Sequence, residues 1–255
     1  MINKELIRRN FSKHAKYYDR YSYIQNICAS ELIDKINGPN FNRILDIGCG
    51  TGNYTELLQK KFPGAYIKAL DLSSDMIKVA EEKLQKENID FMIADAETVD
   101  LEGQFDLISS NATFQWFENL DFALSRYKEL LNKKGVISFT IFGPSTLPEL
   151  DESLKELYGE DNFISAFNFV KKEIIQKILQ NLFKEVSIQE NIYKQTHNSL
   201  LELLRKIKYT GTRGNGINKK NFWSSQAIYN LERIYKRKFG DITATYQVFF
   251  CRGVK

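Results

Sequence analysis

The chain has 255 residues, of which 43% are hydrophobic and 27% are charged, with a formal net charge of +4. This composition predicts a single elaborated domain built on one sizeable core. No apolar run approaches the roughly 20 residues of a membrane span, and the first residues lack the apolar segment of a signal peptide, so we expect no membrane association and a cytoplasmic location.

The cysteines and histidines of the chain are few and scattered. Cys28, Cys49 and Cys251 are odd in number and far apart, as expected for reduced cytosolic thiols. His14 and His197 are also far apart, and no Cys/His cluster indicates a metal site.

The chain begins with helical patterns and continues with alternating strands and helices. Residues 2–36 predict two helices joined near Arg20–Ser22, because apolar side chains recur at the helical period. Five strands are predicted near 42–47, 65–71, 89–94, 104–110 and 135–142. Three intervening helices are predicted near 53–62, 74–87 and 119–131. This alternation predicts an α/β fold, doubly wound around a mostly parallel sheet.

The second half of the chain adds further elements to this pattern. Two helices are predicted over 149–158 and 170–181, and two strands over 183–195 and 242–250. Between those strands, residues 197–240 predict two amphipathic helices around a break rich in glycine (Gly211, Gly214 and Gly216). We expect the segment 196–240 to cap the active site and to set substrate choice.

The most informative segment is residues 45–53, Leu-Asp-Ile-Gly-Cys-Gly-Thr-Gly-Asn. It follows an apolar predicted strand, and its three alternating glycines predict a tight turn into a helix, where a ligand can approach the backbone closely. Asp71 ends the next predicted strand, where the diol of a ribose would lie.

The glycine spacing also distinguishes between ligands. A dinucleotide site has the spacing G-x-G-x-x-G, but here the third glycine comes one residue early and Asp46 precedes the loop. A carboxylate there suits a cation better than a pyrophosphate, which favours S-adenosylmethionine, with its sulfonium and ammonium. A dinucleotide, or a glycine turn without a ligand, stays open as an alternative.

The stretch from Ile44 to about Phe142 resembles the class I S-adenosylmethionine-dependent methyltransferases. Residues 45–52 match the family's first motif, residues 70–73 with Met76 the second, and residues 94–97 the third, which flanks the adenine. The resemblance implies a seven-stranded sheet whose last strand is antiparallel. It also implies a set of cofactor-binding residues: Asp46, Gly48, Cys49, Gly50, Gly52, Asp71, Leu72, Met76, Asp95, Ala96 and Asn111.

Stretches outside these motifs resemble one subfamily, the malonyl-acyl-carrier-protein O-methyltransferases of biotin synthesis. Residues 11–19, FSKHAKYYD, and 110–116, SNATFQW, recur in other small-molecule methyltransferases. Residues 204–211, LRKIKYTG, and the ending around 244–248, ATYQV, are more specific. The resemblance covers essentially the whole chain, as one domain with lid helices (1–37), a cofactor-binding core (38–195 and 241–255) and a helical cap (196–240).

The resemblance implies methylation of the free malonyl carboxylate on an acyl carrier protein. A carboxylate with a pKa of about 4 is already a nucleophile near neutral pH, so the chain needs orienting groups rather than a general base. We expect Tyr18, in the lid, to close the pocket and orient the carboxylate, with Gln115 and Trp116 at the carboxyl end of the fourth strand. Packing alone is the alternative role for Tyr18, and burial in the core is the alternative for Trp116.

The basic residues are unevenly distributed, which predicts an acidic partner. Residues 201–240 contain ten Lys or Arg against Glu202 and Glu232, and residues 1–20 contain six against Glu5 and Asp19. Arg205, Lys206 and Lys208 are candidates for binding the malonyl carboxylate or the carrier protein. An ordinary solvated helix face is the alternative explanation.

Several other functions compete with this interpretation. The nearest is a methyltransferase for a free small carboxylic acid, of the aconitate type, which has no need of the basic insertion. A nucleic-acid methyltransferase is disfavoured, because Ser-Asn-Ala-Thr rather than an Asn-Pro-Pro-Tyr-type motif follows the fourth strand. A non-catalytic cofactor-binding protein and a nicotinamide-dependent oxidoreductase are further alternatives. We expect a monomer.

Overall fold

A computed structural model of the chain describes residues 2–38, 41–85, 87–160, 164–210 and 224–255. Seven strands form one sheet in the order β3-β2-β1-β4-β5-β7-β6. The strands are β1 (Arg43–Ile47), β2 (Tyr66–Asp71), β3 (Ile89–Ile93), β4 (Phe105–Asn111), β5 (Leu131–Phe142), β6 (Glu185–His197) and β7 (Ile242–Val254).

Every pairing up to β5 is parallel, and only β7 runs antiparallel to its neighbours β5 and β6. The predicted mostly parallel, seven-stranded sheet is therefore confirmed. The nine α-helices of the described residues are α1 (Lys4–Tyr21), α2 (Tyr23–Lys35), α3 (Asn53–Lys61), α4 (Ser74–Lys83), α5 (Leu120–Leu130), α6 (Pro148–Tyr158), α7 (Lys172–Leu182), α8 (Leu200–Tyr209) and α9 (Ser225–Phe239).

Three element boundaries differ from the predicted ones by four residues, and one of them is the end of β7 at Val254 instead of 250. Helix α4 ends at Lys83 instead of 87, where the backbone N–H of Leu84 donates to the carbonyl of Ala80. Strand β5 begins at Leu131 instead of 135, because Leu131 pairs with Phe105 ahead of an irregularity in the β4–β5 ladder. The pattern of apolar residues along the chain does not predict this pairing of Leu131 with Phe105.

The sheet buries a separate apolar cluster on each face. Ile44 belongs to one cluster and its neighbour Leu45 to the other, as expected because successive strand residues point to opposite faces. A third cluster joins α6, α8, α9 and β7. The cap helices therefore pack on the core of the protein, whereas the predicted glycine-rich break at Gly211, Gly214 and Gly216 lies outside the described residues.

Helix α1 lies over the carboxyl ends of the parallel strands. It begins at Asn3, whose side chain accepts a hydrogen bond from the N–H of Leu6 at 2.9 Å. Contacts join α1 to both α4 and α8. The helix thereby spans the edge of the sheet where α/β proteins bind ligands. Among the described residues, no helix is both long and apolar enough to cross a membrane.

Candidate active site

The glycine loop connects β1 to α3 with left-handed backbone at Gly48, Gly50 and Gly52, whose φ angles are +71°, +56° and +83°. A Cβ on Gly48 would lie 2.1 Å from Oγ1 of Thr113, so this position is closed by packing. A Cβ on Gly50 would meet no atom within 4 Å. Gly50 therefore presents open backbone to the space above the sheet.

Asp71, at the end of β2, is held by that loop. Its Oδ2 accepts a hydrogen bond from the N–H of Gly50 at 3.0 Å, and its Oδ1 accepts one from the N–H of Ser73 at 2.8 Å. Burial raises the pKa of this carboxyl group to about 6, against the lowering effect of the backbone donors. Each carboxylate oxygen keeps a lone pair that can accept a hydroxyl group of a ligand.

A cavity lies between the glycine loop, Asp71 and helix α1. Its empty volume is about 750 Å³ including the open mouth, within the range of small-molecule sites. Most residues predicted to bind cofactor or substrate line this cavity: Tyr18, Gly48, Gly50, Asp71, Leu72, Met76, Asp95, Ala96, Asn111 and Trp116. The structure thus brings together the three motifs that are separated along the chain.

Four of the residues predicted as catalytic or cofactor-binding do not line the cavity. Asp46 is fully buried beneath the loop, where its Oδ2 accepts from Thr55 Oγ1 at 2.7 Å. Cys49 is buried. The Nε2 group of Gln115 donates a hydrogen bond to the carbonyl of Ala112 at 2.6 Å. A Cβ on Gly52 would lie 2.9 Å from Leu84. These four residues are therefore part of the structure around the cavity without lining it.

The buried carboxyl group of Asp46 has an unusual environment. Its Oδ1 has no hydrogen-bond partner among the described residues, and desolvation raises its pKa to about 7, against the lowering effect of the Thr55 hydroxyl. The predicted attraction of this carboxylate for a cation can therefore act only from beneath the glycine loop.

The lid helix contributes residues that sequence reasoning missed. Besides Tyr18, α1 lines the cavity with Lys4, Ile7, Arg8 and Phe11. These positions recur at the helical period, so a longer amphipathic analysis of residues 4–18 could have found them. Other missed lining residues are Ser73, Ala94, Ala112, Thr113 and Phe117.

Lys4 binds two carboxylates at one end of the cavity. Its Nζ lies 2.7 Å from Oδ2 of Asp95 and 2.6 Å from Oε2 of Glu97. Burial alone would lower the pKa of Lys4, but the two carboxylates outweigh it and raise that pKa above its ordinary value. Lys4 thereby fixes Asp95, a residue predicted to bind the cofactor, at this end of the cavity.

At the other end of α1, Tyr18 and Asp19 have different environments. The hydroxyl of Tyr18 has no hydrogen bond to any described residue, and burial raises its pKa well above the ordinary value. It therefore stays protonated and can donate. Asp19 accepts hydrogen bonds from Thr51 Oγ1, from Asn53 Nδ2 at 3.0 Å and from Lys83 Nζ at 2.6 Å.

The predicted basic residues of the cap lie outside the cavity lining. Lys206 forms an ion pair with Glu202 at 3.4 Å on the same helix. Arg205 and Lys208 are exposed on α8, with no carboxylate at salt-bridge distance among the described residues. Helix α8 reaches the lid through Tyr209, whose ring stacks on that of Tyr21 with centroids 4.5 Å apart.

The cysteines are buried, and burial raises the pKa of all three thiols, so they are poor nucleophiles. Within the described ranges, no group of three or more His, Cys, Asp or Glu side chains could hold a metal ion. The cavity is thus organised by backbone donors, carboxylates and apolar walls.

Comparison with known proteins places this geometry in a family. The family model "Methyltransferase domain" matches residues 45–139. The chain is similar to malonyl-acyl-carrier-protein O-methyltransferase 2 of Ilyobacter polytropus, with 35% identity over 99% of this chain and 93% of the relative. It is also similar to the malonyl-acyl-carrier-protein O-methyltransferase of Bacillus cereus, with 32% identity over 100% of this chain and 98% of the relative.

Solved structures share the fold at low sequence identity. Phosphoethanolamine N-methyltransferase 2 of Haemonchus contortus, with S-adenosylmethionine, matches with a TM-score of 0.61 and 21% identity over 96% of this chain and 57% of that one. The YcgJ protein of Bacillus subtilis matches with a TM-score of 0.59 and 17% identity over 90% of this chain and 98% of that one.

Proposed function

This chain belongs to the malonyl-acyl-carrier-protein O-methyltransferases, within the class I S-adenosylmethionine-dependent methyltransferases, and from that premise we propose how its residues perform the reaction. The enzyme methylates the free carboxylate of a malonyl thioester on acyl carrier protein. The methyl ester hides a charge that chain-elongating enzymes would reject, so the product can be elongated toward the pimeloyl thioester of biotin synthesis.

The observation that carries the proposal is the carboxylate of Asp71, fixed by Gly50 and Ser73 inside a cavity that the lid covers. We assign its free lone pairs to the two ribose hydroxyls of S-adenosylmethionine. Gly50 offers backbone that the methionine part can approach without meeting a side chain. Leu72, Met76 and Phe117 form apolar walls suited to the adenine ring.

Asp95 and Lys4 act together at the adenine end. Lys4 holds the carboxylate of Asp95 in place, and Oδ1 of Asp95 also accepts the N–H of Glu97 at 3.0 Å. An exocyclic amine can still donate to the remaining lone pair of the carboxylate. We therefore assign Asp95 to adenine recognition and Lys4 to positioning Asp95.

The reaction is a displacement at carbon that needs alignment rather than proton transfer. When bound, S-adenosylmethionine supplies a methyl group on a sulfonium: the S–CH₃ bond breaks, its electron pair stays on sulfur, and a carboxylate oxygen forms the new O–CH₃ bond. A malonyl carboxylate is ionised near neutral pH, so no residue has to remove a proton. Orienting the reactants can be worth about 7–11 kcal/mol.

Tyr18 and Trp116 are the residues we assign to that alignment. The Tyr18 hydroxyl is protonated, lacks a protein partner among the described residues and faces the cavity, so it can donate to the carboxylate. Trp116 packs edge-on against Phe169, with ring centroids 5.5 Å apart, and closes the substrate side. Gln115 acts through its hydrogen bond to Ala112 as a positioning residue.

Asn111, which is predicted to bind the cofactor, is less suited to hydrogen-bond it, because its Nδ2 donates to the carbonyl of Gln25 and its Oδ1 accepts from Thr140. We assign it a role in holding α2 against β4. We further propose that the enzyme works as a cytoplasmic monomer and does not act on nucleic acid.

Mass spectrometry of malonyl carrier protein, incubated with the enzyme and isotope-labelled S-adenosylmethionine, tests the proposal. We expect one labelled methyl group on the malonyl moiety and none on the carrier without its acyl group. Efficient labelling of free malonate or aconitate, with no labelling of the malonyl carrier, would instead establish the small-acid alternative.

A further inference from the structure

Helix α1 has a second face, opposite the one that lines the cavity. Arg9, Lys13, Lys16 and Arg20 follow one another at spacings of four, three and four residues, which places them in one row along the helix. All four side chains are exposed. We call this row the basic lid surface. It spans about 16 Å, since an α-helix rises about 1.5 Å per residue.

None of these four cations forms an ion pair with a described carboxylate, although Glu5 acts on Arg9 at longer range. No carboxylate of the described residues lies within salt-bridge distance of them. The two acids of α1 are already engaged, since Glu5 pairs with Arg8 at 2.7 Å and Asp19 pairs with Lys83 at 2.6 Å. The basic lid surface therefore carries uncompensated positive charge.

Three of the four basic residues of helix α9 are different in this respect, the exception being Arg233. Lys236 pairs with Glu232, Arg237 with Glu156 and Lys238 with Glu152. Three further basic residues of the cap, Arg213, Lys219 and Lys220, lie outside the described residues. Among the described residues, four of the seven basic side chains in 201–240 thus form ion pairs, and Arg205, Lys208 and Arg233 do not, whereas none of the four in the row on α1 does.

An aromatic side chain lies beside this row and connects it to the cap. Tyr17 is 53% exposed although its ring contacts that of Tyr209 edge-on, with centroids 5.8 Å apart. Lys208 lies over the Tyr209 ring at 5.7 Å from its centroid, which adds a cation from α8. An exposed, ordered tyrosine among cations is typical of the energetic centre of a protein interface.

We propose that the basic lid surface, together with Tyr17 and Lys208, is the docking surface for the acyl carrier protein, a proposal that rests on the proposed function. The substrate carries negative charge on its malonyl carboxylate and on the phosphodiester of its prosthetic arm. Tyr18 lines the cavity on the opposite face of α1, so the arm of a carrier bound to this surface has to pass around the helix, which is about 10–12 Å wide, to reach the cavity. The apolar face of α1 is occupied by the cavity, which disfavours insertion into a membrane surface.

The test compares two variants with the same change in net charge. The first carries Arg9→Gln, Lys13→Gln, Lys16→Gln and Arg20→Gln. The control carries Lys133→Gln, Lys171→Gln, Lys177→Gln and Lys184→Gln, four exposed lysines away from the lid that have no carboxylate partner among the described residues. Initial rates are measured with malonyl carrier protein and with malonyl-N-acetylcysteamine, a small thioester that lacks the carrier and its phosphate.

We expect the lid variant to raise the KM for malonyl carrier protein about tenfold, with turnover of the small thioester changed less than about twofold. The control variant should change neither, and salt should raise the KM of the wild-type enzyme for the carrier substrate but not that of the lid variant. An unchanged KM in the lid variant, or equal losses on both substrates, overturns the docking surface. Failure of the wild-type enzyme to methylate malonyl carrier protein would instead overturn the proposed function.

Discussion

The carboxylate of Asp19 and the ammonium group of Lys83 lie 2.6 Å apart, and this ion pair joins the end of the lid helix to the end of α4. The same carboxylate accepts hydrogen bonds from Thr51 in the glycine loop and from Asn53 at the start of α3. One side chain therefore ties the roof of the cavity to the loop that approaches the cofactor.

We predict that Asp19→Asn loosens the lid. The substitution keeps the size of the side chain but removes the charge that holds Lys83, and each partly exposed bond is worth roughly 0.2–1 kcal/mol. Amide hydrogen exchange should accelerate in α1, and S-adenosylmethionine should dissociate several-fold faster in stopped-flow experiments. Asp34→Asn, at an exposed position on α2, is the matched control. Exchange in α1 as slow as in the wild type would contradict this role of Asp19.

We predict that Asp71→Ala weakens S-adenosylmethionine binding more than about tenfold, because hydrogen bonds to a charged group are worth about 1.5–3 kcal/mol each. Calorimetry measures this directly. The pKa of about 6 adds a pH dependence: wild-type affinity should fall as the pH decreases through about 6, since protonation removes the charged acceptor. Equal affinity in the variant and the wild type would remove Asp71 from the ribose site.

Gly50→Ala should weaken cofactor binding strongly, because the added Cβ would enter the space assigned to the cofactor. The left-handed backbone itself adds a cost of about 1–2 kcal/mol to any such substitution. Gly240→Ala is the matched control, since Gly240 also has positive φ, at +80°, and open space around its Cβ, but lies at the end of α9. Similar affinities in both variants would show that Gly50 does not face the ligand.

Tyr18→Phe should lower turnover more than it lowers cofactor affinity, because the ring still covers the cavity while the donor to the carboxylate is lost. Since burial raises the pKa of Tyr18, the hydroxyl stays protonated and the wild-type rate should show no alkaline loss from this group below about pH 10. Steady-state rates across pH provide the measurement. Wild-type turnover in the variant would reduce Tyr18 to packing.

Asp46 makes the stability of the protein depend on pH. Its pKa is raised from 3.8 to about 7 in the folded state, so the folded state binds a proton that the unfolded state releases. This contribution to stability is present below the unfolded pKa and is lost as the pH rises through about 7. Between about pH 5 and pH 8 the loss is about 2–3 kcal/mol, at about 1.4 kcal/mol per pH unit.

Asp46→Asn removes that titration, and urea unfolding at both pH values measures it. Relative to the wild type, the variant should be less stable at pH 5 than at pH 8. The reason is that only the wild type gains free energy of unfolding when Asp46 is protonated. Parallel pH dependences of the two proteins would show that Asp46 is ionised in the fold throughout this range.

Local periodicity predicts the alternating strands and helices, and the family resemblance predicts the antiparallel last strand, whereas the cavity requires tertiary information. The glycine loop and the strand ending at Asp71 were predictable, because backbone geometry restricts which residues can occupy them. On the face of α1 that lines the cavity, only Tyr18 is predicted from the sequence. Lys4 has the sequence pattern of an exposed cation, and only the folded structure places it beside Asp95 and Glu97, which follow β3. Asp95 is predicted because it belongs to the third motif, whereas its partner Lys4 belongs to no motif and is identified only by this contact.

The burial of Asp46, Cys49 and Gln115 shows the opposite limitation. A motif gives the order of residues, but the alternation of side chains along β1 decides the direction of Asp46, and the backbone of the turns after β1 and β4 decides those of Cys49 and Gln115. Similarly, Lys206 reads as a free cation in the sequence, whereas helix geometry pairs it with Glu202 four residues earlier.

Strand β7 follows β6 along the chain but lies between β5 and β6 in the sheet. During synthesis, β6 therefore leaves the ribosome before its partner exists, and its 13 residues have no strand to pair with until residues 242–254 follow. Closing the sheet requires β7 to pair with β5, a contact across more than a hundred residues, and such long-range pairing is slow. The half-finished chain thus exposes an unpaired edge at β5, and completing that edge is the step at which aggregation competes with folding.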